Sequence, residues 1–215
     1  MNMILELILV IPILLLSLSI HEFSHGLASY KKGDPTPKMQ GRLTLNPLSH
    51  LDPMGAMVLL LTRRFGWAKP VPINPHYYSE PRKDLMLVSV AGPASNFVLA
   101  VIFALFLNLL GVFLSGPLAM RMYTQPNSLI VVLVQFLQLG IIINVSLGIF
   151  NLLPVPPLDG SKILRGVLPP EADRYLDQLE GPMGMILLLI LAFTGVLGAI
   201  IGPVVQMVMR LLVFV

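Results

Sequence analysis

His21-Glu22-Phe23-Ser24-His25 is the stretch that decides how the rest of this chain is interpreted. It follows an almost wholly apolar run, residues 3–19, in which Glu6 is the one charged residue. On a helix, residues i and i+4 share one face, so both imidazoles can reach a single cation. Glu22 lies on the same turn, close enough to hold a water molecule without being a ligand. This is the H-E-x-x-H pattern of zinc sites, in which the glutamate serves as general base.

The membrane setting strengthens the interpretation of this pattern as a metal site. In a soluble protein, three fixed positions in five residues also occur by chance, without any metal. Here they lie in a segment long enough to enter a bilayer, where ionisable side chains are costly and mark functional sites. The sequence therefore predicts a metal site at His21 and His25, with Glu22 beside it.

The composition is that of an integral membrane protein. Of the 215 residues, 55% are hydrophobic and 12% are charged, and the mean hydropathy is +0.82. The net charge of +3 is spread over the connections, so the sequence does not indicate nucleic-acid binding. Because the chain has no cysteine, any metal must be held by His, Asp or Glu. We expect the first apolar segment to be retained, since cleavage as a signal peptide would discard the histidine pair.

Four apolar segments each exceed the roughly 20 residues that a helix needs to cross a bilayer. They favour an all-α membrane protein with a single domain over residues 1–215, because a membrane barrel would show short alternating strands instead. The predicted transmembrane helices cover about residues 3–30, 85–114, 127–153 and 182–213.

Lysine and arginine residues set the expected orientation, because basic residues accumulate on the cytoplasmic side of a membrane. Of the fourteen, nine lie in the connection 31–84 and three follow the third apolar segment. Arg121 and Arg210 are left for the opposite side. We therefore expect both termini outside the cell. The histidine pair and the end of the third helix would then lie together, toward the cytoplasmic side.

The connection 31–84 is long and is not an ordinary polar loop. Residues 41–47 alternate like a short strand, residues 56–61 are apolar, and residues 67–75 have an extended, proline-rich pattern. The apolar piece is too short to span a bilayer and fits a re-entrant or interfacial segment. We expect a small hairpin or β-like loop packed near the histidines. The alternative is a surface loop without a catalytic role.

A tetrahedral catalytic zinc needs a third protein ligand and keeps its fourth position for water. Asp159 is the strongest candidate, because it follows residues 154–157, whose three prolines end the third helix and stiffen the chain. Gly160 would permit a turn directly behind the carboxylate. The alternative is a solvated aspartate in a helix-ending turn. Weaker candidates for the third ligand are His50, His76, Glu6, Asp52 and the carboxylates of residues 171–180.

Two motifs together resemble the site-2 protease family of intramembrane zinc metalloproteases. They are H-E-x-x-H at residues 21–25 and N-x-x-P-x-P-x-x-D-G at residues 151–160, in the order and topology of that family. Residues 92–96 and 41–55 carry further likeness, so the resemblance covers most of the chain.

The resemblance implies roles for individual residues. It implies one zinc ion per chain, held by three ligands: His21, His25 and Asp159. It implies that Glu22 activates the water that attacks the peptide bond. It further implies that Asn96 and Asn151 help to bind the substrate backbone or the oxyanion.

The resemblance also implies regulated intramembrane proteolysis, with a transmembrane helix of another protein as substrate and the lipid bilayer as surroundings. We expect the plasma membrane of a prokaryote. Because the predicted outer connection, residues 115–126, is short, we expect a minimal form without a PDZ or CBS domain. Two alternatives stay open. One is a membrane-tethered zinc peptidase that acts on soluble peptides, and the other is a non-catalytic protein that binds helices or transports metal.

Overall fold

A computed structural model describes residues 3–62, 66–114 and 129–214. These residues form helices joined by turns and irregular segments, and no β-strand occurs among them. The predicted all-α class is confirmed. The α-helices are α1 (Met3–Lys31), α2 (Thr36–Met39), α3 (Pro53–Thr62), α4 (Pro81–Leu114), α5 (Leu129–Leu152), α6 (Asp159–Val167), α7 (Asp173–Gln178), α8 (Pro182–Phe193) and α9 (Val196–Leu212). Short 3-10 turns lie at Pro47–Ser49, Pro75–Tyr77 and Pro170–Ala172.

Helices α1, α4 and α5 are long and apolar enough to cross a membrane, with mean hydropathies of 2.1, 2.2 and 2.3. A helix satisfies its backbone polar groups internally, which is why such apolar sequences fold as helices in lipid. Large side chains such as Ile8, Leu105 and Phe106 are exposed on the outer faces, which fits contact with lipid. The pair Pro170–Gln178 and Pro182–Phe193, bent by 71°, would make a fourth span if counted as one.

The apolar core lies mainly between α4 and α5. Phe103 of α4 lies over Gly140 of α5, where a Cβ would come within 2.6 Å of the ring. Ile141 and Val145 are fully buried in the same cluster. Helix α1 packs against both of these helices. Helix α4 is therefore central, and its side chains can meet α1 on one side and α5 on the other.

The connection from α1 to α4 is fixed by a buried carboxylate, Asp34. It accepts hydrogen bonds from Ser29 Oγ (2.8 Å) and from the backbone N–H groups of Thr36 (2.9 Å) and Asn74 (2.7 Å). Burial opposes the charge of Asp34, but these hydrogen bonds outweigh it and hold the pKa of the carboxyl below its usual value. The connection thus returns to the end of α1 that carries the histidines.

The β-like loop predicted in this connection is much reduced in the structure. Among the described residues, pairing is limited to one isolated antiparallel bridge between Leu51 and Ala68. Within residues 41–47, expected to resemble a short strand, residues 42–46 have no regular secondary structure. We call residues 66–74 the strap. Its prolines lack the N–H groups that a ladder needs, which explains why no strand forms. The re-entrant placement of this connection stays a prediction.

The segment predicted as one helix over residues 182–213 consists of two helices, α8 and α9. Thr194 and Gly195 separate them, and Gly195 adopts a left-handed conformation with φ of 80°. Glycine tolerates this conformation without the steric penalty of a Cβ, so the chain can change direction there.

The residues before α8 are joined to the central helices by ion pairs. Arg82, in the first turn of α4, pairs with Asp173 of α7. Arg165 of α6 pairs with Asp177 at 2.7 Å and with Glu180 at 2.8 Å. These contacts attach the region around α7 to the two helices, α4 and α6, that flank the site described next.

Candidate metal centre

Helix α1 presents His21 and His25 toward one point, as their i, i+4 spacing predicts, and both imidazoles are buried. Asp159, the first residue of α6, is buried at the same point. The Nε2 atoms of the two histidines are 3.0 Å apart. Asp159 Oδ2 lies 3.0 Å from Nε2 of His25 and 3.2 Å from Nε2 of His21. The structure therefore brings the Asp159 carboxylate to a pair of histidines that lies 134 or more residues earlier in the chain.

We call Nε2 of His21, Nε2 of His25 and Oδ2 of Asp159 the triangle. The other nitrogen of each ring, Nδ1, has a hydrogen-bond partner outside the triangle. His25 Nδ1 lies 2.7 Å from the backbone oxygen of Val88, which can only accept, so Nδ1 carries the proton. His21 Nδ1 lies 2.7 Å from Asn96 Oδ1, which is also an acceptor. In the neutral rings, both Nε2 atoms therefore direct a lone pair toward Asp159.

Three acceptor atoms that face one another need a cation between them. Lys162 lies 3.6 Å from the other carboxylate oxygen of Asp159, Oδ1, where its charge favours the ionised form of the carboxyl. A proton can join at most two of the three atoms, whereas a metal ion can bind all of them.

Zinc fits this set of donors. Two imidazoles and a carboxylate are a ligand set of catalytic zinc sites. Ligand atoms at zinc-binding distance in a tetrahedral arrangement lie roughly 3.3 Å from one another. The three separations of 3.0, 3.0 and 3.2 Å are close to that value.

Gly92 of α4 makes room for the triangle. A Cβ at this position would lie 2.3 Å from Nε2 of His25 and 2.7 Å from Cε1 of His21. Both distances are too short for any real Cβ, so the rings would have to move. The backbone of α4 passes this close to the histidines because residue 92 has no side chain.

Asp159 is delivered by the short segment 153–158, which follows the end of α5. The turn expected at Gly160 is absent, because Gly160 continues directly into α6. A Cβ on Gly160 would lie 2.2 Å from the backbone oxygen of Leu152 and 2.3 Å from that of Leu153. The glycine therefore permits close packing of α6 against the end of α5, which sets the position of the carboxylate.

On its other side, the histidine pair faces a cavity of about 160 Å³. Glu22 lines this cavity, and its Oε2 accepts a hydrogen bond of 2.7 Å from the backbone N–H of Val71 in the strap. The strap thus fixes the carboxylate beside the proposed ligands. The polar side chains that share the cavity wall with Glu22 include Ser89, Asn151 and Lys162.

The two asparagines expected at the substrate have different surroundings. Asn151 lines the cavity and donates one amide hydrogen to the backbone oxygen of Leu147 at 3.0 Å, which leaves the amide a second hydrogen. Asn96 is fully buried behind His21, and its amide also contacts Asn144 and the backbone oxygen of Ser17. These contacts do not support a substrate-binding role for Asn96. They place its amide oxygen beside His21, one of the three candidate ligands, instead.

Sequence reasoning missed Val71, Ser89 and Asn144 as residues of the site. Ser89 Oγ is buried at the cavity wall and has no hydrogen-bond partner among the described residues. A polar residue in an apolar span was the available signal for Ser89 and Asn144, whereas Val71 gave none. His50, a weaker ligand candidate, is buried elsewhere and contacts the backbone oxygen of Thr44 at 2.8 Å.

Comparison with known protein families identifies the family to which the chain belongs. The profile described as Peptidase family M50 matches residues 9–193, which include all three residues of the triangle. The chain belongs to peptidase family M50. This is the site-2 protease family, so the resemblance inferred from the motifs is confirmed.

Relatives within the M50 family match most of the chain. YwhC of Bacillus subtilis, provisionally named a zinc metalloprotease, is 40% identical over 190 residues, covering 88% of this chain and 82% of YwhC. Rip2 of Mycolicibacterium smegmatis, provisionally named in the same way, is 34% identical over 199 residues, covering 88% and 68%. Rip2 of Mycobacterium tuberculosis is 32% identical over 174 residues, covering 79% and 61%. No solved structure matches the chain.

Proposed function

We propose that this M50 member is an intramembrane zinc metalloendopeptidase of the site-2 type, which hydrolyses peptide bonds in or near transmembrane segments of other membrane proteins. The observation that carries the proposal is the convergence of His21, His25 and Asp159 within 3.0 to 3.2 Å, where the two histidines lie on a helix apolar enough to span a membrane. Zinc is the ion we assign, because the donor set fits it and the relatives are named as zinc metalloproteases.

One zinc ion per chain would be held by Nε2 of His21, Nε2 of His25 and Oδ2 of Asp159. When bound, zinc supplies Lewis-acid polarisation of the scissile carbonyl and lowers the pKa of water. The protein contributes the orientation of the ligands, because both imidazoles are fixed by hydrogen bonds on their Nδ1 atoms. Burial of all three side chains keeps bulk water from competing for them.

Glu22 is the proposed general base. Its carboxylate takes a proton from the attacking water and then passes that proton to the leaving amine of the cleaved peptide bond. Because the N–H of Val71 holds Oε2 at 2.7 Å, Oε1 is left to exchange the proton. The carboxylate is therefore oriented before the substrate arrives.

Asn151 is the proposed donor to the oxyanion that develops on the scissile carbonyl. One hydrogen of its amide is donated to the backbone oxygen of Leu147 within α5. Because the side chain of Asn151 lines the cavity, the second amide hydrogen is the one proposed to bind the oxyanion. Amide donors at a fixed position near such an oxygen stabilise the transition state. This role is kept for Asn151 alone, since the amide of Asn96 is engaged within the protein.

The proposed substrate is a membrane-spanning helix that unwinds locally, because the peptide bonds of an intact helix are shielded by its own hydrogen bonds. The strap is proposed to hold such a segment by backbone pairing. The carbonyl oxygen of Lys69 already accepts a hydrogen bond from Arg42 at 2.7 Å, so the segment would use other carbonyl groups of the strap. Its N–H groups at Lys69, Val71 and Asn74 are bound within the protein, and Pro70 and Pro72 have none. An unwound segment would therefore donate its own N–H groups to the strap.

We propose a position in the plasma membrane of a prokaryote, with the site toward the cytoplasmic side and the termini outside. The support is the charge distribution, since nine of the fourteen basic residues lie in the connection 31–84. The histidines lie near the end of α1 that leads into this connection.

Cleavage of a single-span test protein in liposomes tests the proposal. The full chain is compared with Glu22→Gln, with and without a zinc chelator, and a soluble peptide containing the same cleavable sequence is offered in parallel. We expect the wild type to cleave the membrane protein, and both the chelator and Glu22→Gln to abolish cleavage.

The parallel peptide separates the proposal from its nearest competitor. Equal or faster cleavage of the soluble peptide, with the membrane protein left intact, would show a membrane-tethered peptidase instead. A Glu22→Gln form that cleaves like the wild type would overturn the mechanism itself.

A further inference from the structure

An unbroken series of hydrogen bonds runs from α5 through α4 to the first histidine of α1. Asn144 donates through Nδ2 to the backbone oxygen of Gly140 at 2.9 Å. Asn96 donates through Nδ2 to Asn144 Oδ1 at 3.0 Å. His21 then donates through Nδ1 to Asn96 Oδ1 at 2.7 Å. Both asparagine side chains are 0% exposed, so water does not compete for these bonds.

The donor and acceptor of every hydrogen bond in this series follow from the first bond, between Asn144 and the backbone oxygen of Gly140. A backbone oxygen only accepts, so the atom of Asn144 that faces Gly140 must be the NH₂ group. The other atom of that amide is then the oxygen, and it requires an N–H from Asn96. This requirement turns Asn96 Oδ1 toward His21, whose Nδ1 must carry a proton. The lone pair of the ring is thereby left on Nε2, the atom that faces His25 and Asp159.

We infer that Asn144 is a positioning residue which, through Asn96, fixes the tautomer of His21 and so keeps its Nε2 available to the metal. The inference rests on the proposed function, because it concerns the same metal site. It goes beyond that function by assigning a role to a residue on α5 that does not line the cavity and whose hydrogen bonds, among the described residues, go to Asn96 and Gly140.

Removing Asn144 has a specific consequence for His21. Without the acceptor on α5, the amide of Asn96 is held only by its long contact of 3.4 Å with the backbone oxygen of Ser17 among its described donor contacts. The amide can then turn over and offer its NH₂ group to Nδ1 of His21. The proton of the ring moves to Nε2, where it points into the triangle and excludes a metal ion.

The test measures zinc and cobalt binding by the full chain purified in detergent. Affinity for Zn²⁺ is obtained by competition with a chromophoric chelator, and bound Co²⁺ reports the coordination through its visible absorption. Asn144→Leu removes the series. Asn144→Asp is the rescue variant, because a carboxyl at this position keeps the acceptor oxygen that orients the amide of Asn96. Asn108→Leu is the matched control, since Asn108 of α4 likewise donates a hydrogen bond to the backbone of a helix, at Leu212, but away from the site.

We expect Asn144→Leu to weaken zinc binding by about 10- to 100-fold, the usual effect of removing a group that orients a metal ligand. Asn144→Asp restores the affinity and the cobalt spectrum, and Asn108→Leu leaves both unchanged. Thermal unfolding of the metal-free proteins shows how far each variant is destabilised.

Three results would overturn the inference. They are wild-type zinc affinity in Asn144→Leu, an equal loss of affinity in Asn108→Leu, and no recovery in Asn144→Asp. A wild-type chain that binds neither metal would instead overturn the proposed function. The two failures are therefore distinguishable.

Discussion

The two sides of the histidine pair differ in how far their polar groups are hydrogen-bonded within the protein. The inner wall consists of the Val88 carbonyl, Asn96 and Asn144, all enclosed by helices, and each of its polar groups has a partner inside the protein. The outer wall consists of Glu22, Ser89, Val71 and Asn151, and it borders the cavity. On this side, some hydrogen-bonding groups are unused. The buried hydroxyl of Ser89, for example, has no hydrogen-bond partner among the described residues.

This difference suggests that the two walls of the site have different functions. Groups that are fully paired cannot respond to a substrate, and they are suited to hold the metal ligands in one geometry. Groups with unused donors or acceptors can bind a substrate or exchange a proton. Changes to the inner wall should therefore affect metal binding, and changes to the outer wall should affect cleavage alone.

The largest effect is expected from Gly92→Ala, which places a Cβ against the rings of His21 and His25. Because that atom would lie 2.3 Å from Nε2 of His25, the ring must leave its position. We expect zinc binding and cleavage both to be lost. Metal content by mass spectrometry and cleavage in liposomes measure the two effects.

Gly198→Ala is the matched control for this change. Gly198 lies in α9, and a Cβ there meets no described atom within 4 Å. The control should keep wild-type zinc content and activity. Full zinc content in Gly92→Ala would show that the triangle is not where the metal binds.

A smaller effect, confined to the outer wall, is expected from Asn151→Ala. Loss of one oxyanion donor lowers kcat by about 10²- to 10³-fold. Zinc affinity should stay at the wild-type value, because the side-chain hydrogen bond of Asn151 goes to the backbone of Leu147 and not to one of the proposed ligands. Steady-state cleavage and chelator competition, done on the same preparation, check both parts. A fall in zinc affinity as large as that of Asn144→Leu would remove the distinction between the two walls.

The smallest effect is expected from Asp34→Asn, which loosens the attachment of the strap. The carboxylate accepts three hydrogen bonds, from Ser29, Thr36 and Asn74, and the neutral amide weakens them. We expect a loss of stability of about 1 to 3 kcal/mol. Faster limited proteolysis between α1 and α4 would accompany this loss, and zinc affinity would be little changed. Unaltered proteolysis would mean that Asp34 does not anchor the strap.

The pH dependence of this last effect has a definite sign. The pKa of Asp34 is lowered in the folded protein, so its charge contributes stability above the unfolded-state pKa of about 3.9. That contribution is lost as the pH falls from there through the lower folded-state pKa. The stability difference between wild type and Asp34→Asn should therefore narrow in acid, as thermal unfolding at several pH values would show.

Features that depend on local pattern were predictable from the sequence. Apolar length gave the spans that became α1, α4 and α5, and the i, i+4 spacing gave the shared face of His21 and His25. Proline chemistry singled out Asp159, since three prolines end the preceding helix within a few residues. Each of these patterns lies within one continuous stretch of chain, so it can be recognised without knowing how the helices pack.

Features that depend on contacts between distant segments were not predictable. Asn96 and Asn151 are both polar residues in apolar helices, and nothing local separates the inner wall from the outer wall. The contact of Val71 with Glu22 requires the strap to fold back over α1. The helix break at Gly195 was also missed, because glycine is common in membrane helices that stay continuous.

The most direct test of the proposed metal site is zinc content and cleavage measured together for Glu22→Gln and Asp159→Asn, each purified alongside the wild type. We expect Glu22→Gln to retain one zinc ion per chain but not to cleave, and Asp159→Asn to lose both zinc and activity. Wild-type cleavage by Glu22→Gln, or undiminished zinc affinity in Asp159→Asn, would contradict the proposed roles of these two residues.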